Sequence, residues 1–292
     1  MLNGSITALI TPMKTNGHID DDALNRLIDW QIEQNTDGLV IIGSTGESST
    51  LTADEQEKII TMTVERVAKR IPVVVGTGSN STQIAIEKTK KAKALGADAV
   101  LLVTPYYNKP LSHGLYQHFM AIANAVDIPQ ILYNVPGRSI IDMDNETIIT
   151  LSQHDNIIGV KEASGDISRI KPILEKSATD FKVWSGDDIT ALECIQAGGH
   201  GVISVVSNMI PKQMHDLCAL ALKGNMEEAK QLNQSLLPLY EMSCLETNPI
   251  PIKWAMYEMG LIDAGIRLPL TPLSAPLREK VHNLLKEQGQ LS

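Results

Sequence analysis

Lys161 is the side chain best placed to do chemistry. It lies in IIGVKEA at 157–163, among apolar neighbours. Burying an ammonium is costly and favours the neutral amine, and a neutral amine attacks a ketone to form an imine. The same position also reads as a strand-end lysine paired with a carboxylate such as Glu162. Tyr133, in QILYNV at 130–135, carries a phenol that serves as general acid/base if it reaches the carbon at Lys161, and otherwise packs in a core. The chain has only six tyrosines and two phenylalanines. Three of those tyrosines, Tyr106, Tyr107 and Tyr133, follow or end apolar runs, which argues against all three being ordinary core. The turn Ser44-Thr45-Gly46 brings hydroxyls and successive backbone N–H groups to a strand–helix junction. Such a turn cradles a carboxylate, or it is a plain turn that needs glycine. Arg138, after Pro136-Gly137, offers a fork for a second carboxylate or sits in solvent on a loop.

Other chemistries find less support. The seven histidines (His18, His113, His118, His154, His200, His215, His282) form neither HxH nor HExxH, so a zinc site is not expected. Cys194, Cys218 and Cys244 show no CxxC spacing and read as reduced thiols of a cytosolic protein. Gly76-Thr77-Gly78 lacks the third glycine of a dinucleotide fingerprint, because Ser81 stands there. Gly198 and Gly199 precede the last strand and lie at the wrong end for a phosphate grip, which disfavours a phosphorylated substrate or pyridoxal phosphate.

Elements of a definite kind are needed to bring these residues together. Apolar β-branched runs recur at 6–11, 38–43, 72–77, 99–104, 130–135, 157–162, 182–186 and 201–206. They do not alternate cleanly, as expected of parallel strands buried on both faces. Amphipathic stretches at 21–35, 52–69, 111–125, 145–153, 167–176 and 188–197 predict helices between them, and a further helix follows Ser81 and stops at Gly96. Thr52 and Glu55 have the spacing of a capping box. Eight strand–helix repeats predict a closed (β/α)8 TIM barrel of class α/β rather than an open sheet, with its active site at the C-terminal strand ends. Beyond about residue 207 only helices are expected, at 212–223, 226–245, 252–259 and 276–286. We therefore divide the chain into a catalytic barrel, 1–224, and a small C-terminal helical region, 225–292.

Composition narrows the partners. Charged residues make up 20% and hydrophobic ones 43%, as in ordinary globular enzymes. A net charge of -9 without a basic stripe disfavours nucleic acid. No run is long enough to span a bilayer, and MLNGSITALITPMK lacks a basic n-region, so cytoplasmic residence is expected.

Taken together, GSTGES at 43–48, TPYYN at 104–108, YNVPGR at 133–138, GVKEASGD at 159–166, SGDD at 185–188 and GGHGVIS at 198–204 resemble the 4-hydroxy-tetrahydrodipicolinate synthase (dihydrodipicolinate synthase) family. NPIPIKWA at 248–255 and RLPLTP at 267–272 extend the likeness over essentially the whole chain. The resemblance implies that Lys161 condenses with pyruvate, and that the resulting enamine attacks L-aspartate 4-semialdehyde. It implies that Tyr133 relays protons through Ser44 to a Tyr107 donated by a neighbouring subunit. Thr45 would hold the pyruvate carboxylate, Arg138 the semialdehyde carboxylate, and Gly186 and the Ile203 carbonyl would shape the pocket. It further implies a homotetramer built as a dimer of dimers, and no metal or organic cofactor.

The chain departs from that family's pattern in two places. Ser44 stands where threonine is usual, so the hydroxyl is kept and the methyl that restrains χ1 is lost. In the cleft where the family binds lysine as a feedback effector, Ser48, Ser49, Asn80 and Tyr106 match, but Ala53, Gln56 and Ile84 replace two histidines and a glutamate. Losing a buried carboxylate partner of the effector costs on the order of 2–5 kcal/mol, which predicts weak or absent lysine inhibition. The competing readings are a pyruvate-dependent aldolase acting on a sugar acid, and a catalytically silent binding protein on the same barrel.

Overall fold

Residues 2–291 are described by a computed structural model. The apolar runs become β1 (Gly4–Ala8), β2 (Gly38–Ile41), β3 (Val73–Gly76), β4 (Ala99–Val103), β5 (Gln130–Asn134), β6 (Ile157–Glu162), β7 (Lys182–Ser185) and β8 (Gly201–Ser204). They close a parallel barrel in sequence order, with β8 returning to β1. The first strand begins two residues before the expected 6–11 and ends earlier. Gly4 and Ser5 look unlike strand residues, but Gly4 pairs with Gly201 and the Ser5 amide donates to Asp37 Oδ2 at 2.8 Å. After Ala8 the chain leaves the ladder, and the Ile10 amide donates to Asn208 Oδ1 at 3.0 Å instead.

The helices follow the apolar stripes: α1 (Asp21–Glu33), α2 (Ala53–Val67), α3 (Thr82–Ala94), α4 (Ser112–Ala125), a single-turn α5 (Pro136–Ser139), α6 (Asn145–Leu151), α7 (Ile170–Lys176) and α8 (Ala191–Gln196). The capping box forms: the Thr52 amide donates to Glu55 Oε2 at 2.9 Å and the Glu55 amide to Thr52 Oγ1 at 3.3 Å. The stretches expected at 167–176 and 188–197 each begin with a 3-10 turn, Ile167–Arg169 and Asp188–Thr190. The helix α9 (Pro211–Leu222) packs against β1 and α8 and completes the outer ring. Then come α10 (Met226–Ser243), α11 (Ile250–Glu258) and α12 (Ala275–Glu287).

Two apolar layers result. Outward residues such as Leu39, Ile41, Val100, Leu102 and Val160 pack under the helices. Inward residues such as Ile6, Val40, Val74, Leu101, Tyr133 and Trp184 fill the barrel. One irregularity decides the direction of Lys161. Gln130 pairs with Ile157, but Ile131 pairs with Gly159, so β6 carries one extra residue at Ile158. Ile157 faces the helices, and strict alternation from it would turn residue 161 outward too. The bulge reverses the parity, so Val160 faces out and Lys161 faces in, level with Tyr133 on β5 and Trp184 on β7. Among the described residues no helix is long and apolar enough to cross a membrane.

Candidate active site

A cleft of about 310 Å³ opens at the C-terminal ends of the strands, walled by Lys161, Tyr133, Ser44, Thr45, Arg138 and Gly186. Lys161 is only 5% exposed, and its Nζ lies 4.4 Å from the centroid of the Tyr133 ring. No carboxylate of the described residues stands within ion-pair distance of Lys161. The alternative pairing with Glu162 is ruled out by direction, because Glu162 points between strand and helices. There it accepts from Asn134 Nδ2 at 3.1 Å and from the Ser164 amide at 2.7 Å, with Arg169 Nε at 3.6 Å. Burial raises the pKa of the Glu162 carboxyl, against the pull of Arg169 and these hydrogen bonds.

The Ser44 turn is tied at both ends. The Glu47 amide donates to the Ser44 carbonyl at 3.1 Å, the Ser48 amide to the Gly43 carbonyl at 3.3 Å, and Thr11 Oγ1 to the Gly46 carbonyl at 2.7 Å. The amides of Ser44, Thr45 and Gly46 donate to no acceptor among the described residues, which leaves them for a bound carboxylate. The turn is strained: Ile42 and Glu47, which flank it, have φ of 57° and 55°. Glycines of the next loop make room for it. A Cβ on Gly76 would lie 2.2 Å from the Ile42 carbonyl oxygen, so the Gly76-Thr77-Gly78 run serves close packing.

Gly186 closes the opposite wall. Its amide donates to the Glu162 carbonyl at 2.7 Å, and a Cβ there would lie 2.5 Å from Ala163 Cβ and 3.0 Å from Lys161 Cε. Two carboxyls follow it. Burial raises the pKa of Asp187, and Lys161 opposes that shift; both residues line the cleft. Asp188 is pushed in the same direction by burial while its Oδ2 accepts from the Val205 and Val206 amides at 3.1 and 3.0 Å.

Arg138 stands on the single helical turn α5 rather than in solvent on a loop. Its Nη2 donates to the Asn248 carbonyl at 2.8 Å, and Asn248 Nδ2 donates to Thr45 Oγ1 at 2.9 Å. Asn248 therefore joins both expected carboxylate holders. In the sequence Asn248 stands out only as the first residue of NPIPIKWA. Behind it, Lys253 Nζ meets Glu47 Oε1 at 2.5 Å with both residues almost wholly buried. This pair locks α11 to the Ser44 turn, and only its separation of 206 positions hid it.

Other expected residues are placed differently. The Ile203 side chain is buried in the barrel interior, and Val205, two residues on, lines the cleft. Tyr107 is 86% exposed, with φ of 73°, and does not line its own chain's cleft. Ser48, Ser49 and Tyr106 line a second cavity of about 380 Å³ that shares Ser44, Tyr133, Arg138 and Asn248 with the first. Asn80 is not on its wall; its carbonyl accepts from Asn108 Nδ2 at 2.8 Å. Gln56 spends its amide on the Ser48 and Leu51 carbonyls, both at 3.2 Å. Ile84 is exposed. Among the described residues no group of His, Cys, Asp and Glu is arranged to hold a metal ion.

Known proteins share this architecture. A model of the dihydrodipicolinate synthetase family matches residues 1–288. A protein of Pseudomonas putida is 54% identical over 291 residues, covering 100% of both chains. One of Coxiella burnetii is 53% identical over 289 residues, covering 99% of each chain. Both are called 4-hydroxy-tetrahydrodipicolinate synthase. The crystal structure of the chloride-inhibited dihydrodipicolinate synthase from Acinetobacter baumannii, complexed with pyruvate, is similar with a TM-score of 0.98 at 49% identity, covering 100% of both chains.

Proposed function

The chain belongs to the dihydrodipicolinate synthetase family, and from that premise we propose how its cleft works as a 4-hydroxy-tetrahydrodipicolinate synthase. The enzyme condenses pyruvate with L-aspartate 4-semialdehyde in the biosynthesis of diaminopimelate and lysine. Full-length identity above 50% to synthases favours this reaction over action on a sugar acid. A catalytic cleft also leaves no ground for the silent-barrel reading.

The Lys161 amine adds to the pyruvate ketone, and water leaves to give an iminium. Loss of a methyl proton converts it to an enamine, whose carbon attacks the aldehyde of the second substrate. That substrate's own amine then adds to the imine carbon, expels Lys161 and closes the six-membered ring. Tyr133 handles the protons, passing them through Ser44 Oγ to Tyr107 of the partner subunit. Thr45 and the free amides of its turn hold the pyruvate carboxylate, Arg138 holds that of the semialdehyde, and Gly186 keeps the wall beside Lys161 thin. The Ile203 carbonyl belongs to the same pocket in this reading. The observation that carries it is the buried Lys161 amine, without a carboxylate partner, over the Tyr133 ring.

The assembly is a homotetramer of two tight dimers, and it works in the cytoplasm. The exposed Tyr107 supports the dimer, as do Ile84, Tyr106, Leu111 and Ile140 on the neighbouring βα segments. Three free cysteines accord with a reducing compartment. Residues 1–224 form the catalytic unit, and 225–292 brace its mouth. Lysine feedback is weak or absent. Treating the protein with pyruvate and borohydride, then mapping the modified residue by mass spectrometry, tests the central step. The adduct is expected on Lys161, and an unmodified Lys161 refutes the mechanism.

A further inference from the structure

One charge in the catalytic cleft is left without a counterpart. Five charged residues line that cleft: Lys161, Arg138, Asp187, Asp188 and Glu241. Asp188 spends Oδ2 on the Val205 and Val206 amides, and its Oδ1 has no exposed surface. Glu241, on α10, is exposed, so water screens its charge. Asp187 is half-buried. Its backbone is fixed: the amide donates to Ser185 Oγ at 3.1 Å, and the carbonyl accepts from Ser185 Oγ at 2.8 Å and Thr190 Oγ1 at 3.2 Å. Its carboxylate makes no hydrogen bond or ion pair among the described residues, and Lys161 is the one charge that acts on it. Burial raises its pKa, as expected of an anion short of a partner.

Asp187 follows β7 and Arg138 follows β5, so the two flank Lys161 on β6. The dimer face proposed above belongs to segments after β3, β4 and β5, and leaves Asp187 facing the cleft of its own chain. L-Aspartate 4-semialdehyde carries a carboxylate and an ammonium on one carbon. With the carboxylate on Arg138, the ammonium needs an anion on the far side of Lys161. We propose that Asp187 is the counter-charge for that ammonium and selects the amino-bearing semialdehyde, a role that rests on the synthase reading. The substrate nitrogen is thereby held beside the imine carbon to which it adds. Carboxylate on Arg138, ammonium on Asp187 and aldehyde at the enamine of Lys161 are three fixed points, which also select one enantiomer.

The probe is succinic semialdehyde, which has the aldehyde and the carboxylate but no ammonium. With the native enzyme its inhibition constant, competitive with the amino-bearing substrate, should exceed that substrate's KM at least tenfold. Asp187→Asn should raise KM for L-aspartate 4-semialdehyde at least tenfold, a loss of about 1.4 kcal/mol. The same variant should leave the inhibition constant of succinic semialdehyde within twofold. Asp187→Ala should give the same split, so that a bond from the asparagine amide is not mistaken for the loss of charge. Borohydride trapping of pyruvate on Lys161 should stay within twofold in both variants. A variant that merely deforms the cleft weakens both semialdehydes alike, and that result overturns the assignment. Equal affinity of the native enzyme for the two semialdehydes also overturns it, whether or not the variants fold. So does a split that follows Glu241→Gln instead. Failure of the native enzyme to trap pyruvate counts against the synthase reading itself, while normal trapping with an unchanged KM in Asp187→Asn sinks only the role of Asp187.

Discussion

Replacing Lys253 by methionine should loosen the Ser44 turn and the mouth of the barrel together. Lys253 is 4% exposed and Glu47 3%, with Nζ and Oε1 2.5 Å apart. At an effective dielectric of 20 that separation gives about 7 kcal/mol of attraction. Each buried ion has lost several kcal/mol of hydration, so the pair as a whole contributes little net stability. Burial lowers the pKa of the Lys253 ammonium, while Glu47 pulls it back up. A single substitution removes the attraction and keeps one ion's desolvation. Lys253→Met leaves the Glu47 carboxylate buried with one backbone donor, the Arg267 amide at 3.2 Å, and the Thr11 carbonyl loses its 3.1 Å contact with Nζ. The expected loss is about 3–5 kcal/mol, a large share of the roughly 5–15 kcal/mol that holds a domain together.

The assay is urea unfolding at fixed protomer concentration, run as a double-mutant cycle with Glu47→Gln. The double variant should lose at least about 2 kcal/mol less than the sum of the singles, because neither ion is then stranded. Activity gives an independent readout. Glu47 closes the turn through its amide, so Lys253→Met should raise KM for pyruvate more than it lowers kcat. If each single variant costs under about 0.5 kcal/mol and the cycle is additive, the pair is not the clamp described here.

Ser44→Ala should lower kcat at least tenfold and Ser44→Thr should preserve or raise it, since only the hydroxyl carries protons; a fully active alanine variant removes position 44 from the mechanism. Gly186→Ala pushes a methyl to 3.0 Å from Lys161 Cε, so borohydride trapping of pyruvate should slow at least tenfold with the fold retained, and unchanged trapping would show that the wall has slack. Burial pushes the His118 imidazole from 6.5 down to about 4, with the residue 6% exposed and Nε2 unpartnered among the described residues. Between those values the unfolded chain binds the extra proton, so stability falls as pH drops from 6.5 to 4, by roughly 3 kcal/mol; His118→Gln should flatten that slope in urea titrations, and an unchanged slope assigns the acid limb to other groups.

Much of the site was legible because it sits where the barrel puts it. Lys161, Tyr133, Ser44 and Arg138 each end or follow an apolar run, and the parallel topology gathers all such ends at one mouth. What escaped the sequence is long-range or has no apolar signature. Asn248 bonds Thr45 across 203 positions, and Lys253 meets Glu47 across 206. Neither partner marks the other by spacing. The first strand was misplaced because Gly4 and Ser5 are strand residues by pairing rather than by type. The one-turn α5 is too short to carry an apolar stripe, although its Pro136 is at home in a first helical turn.

The direction of Lys161 is the deepest of these losses. A strand buried on both faces reads as one apolar run, so IIGVKE carries no parity from which to infer which residues face inward. Counting back from Lys161 in strict alternation puts Ile157 inside the barrel, yet Ile157 packs under the helices. The pairing with β5 resolves the conflict by skipping Ile158. Gly159 then faces inward against Trp184, where a Cβ would come within 2.5 Å of Trp184 Cζ3. The glycine and the tryptophan thus fix the level at which the bulge is absorbed, and two residues further along the strand the lysine emerges on the inner face beside Tyr133. The Lys161 amine is aimed by packing one layer below it, and a larger residue at 159 would disturb that aim without touching the cleft.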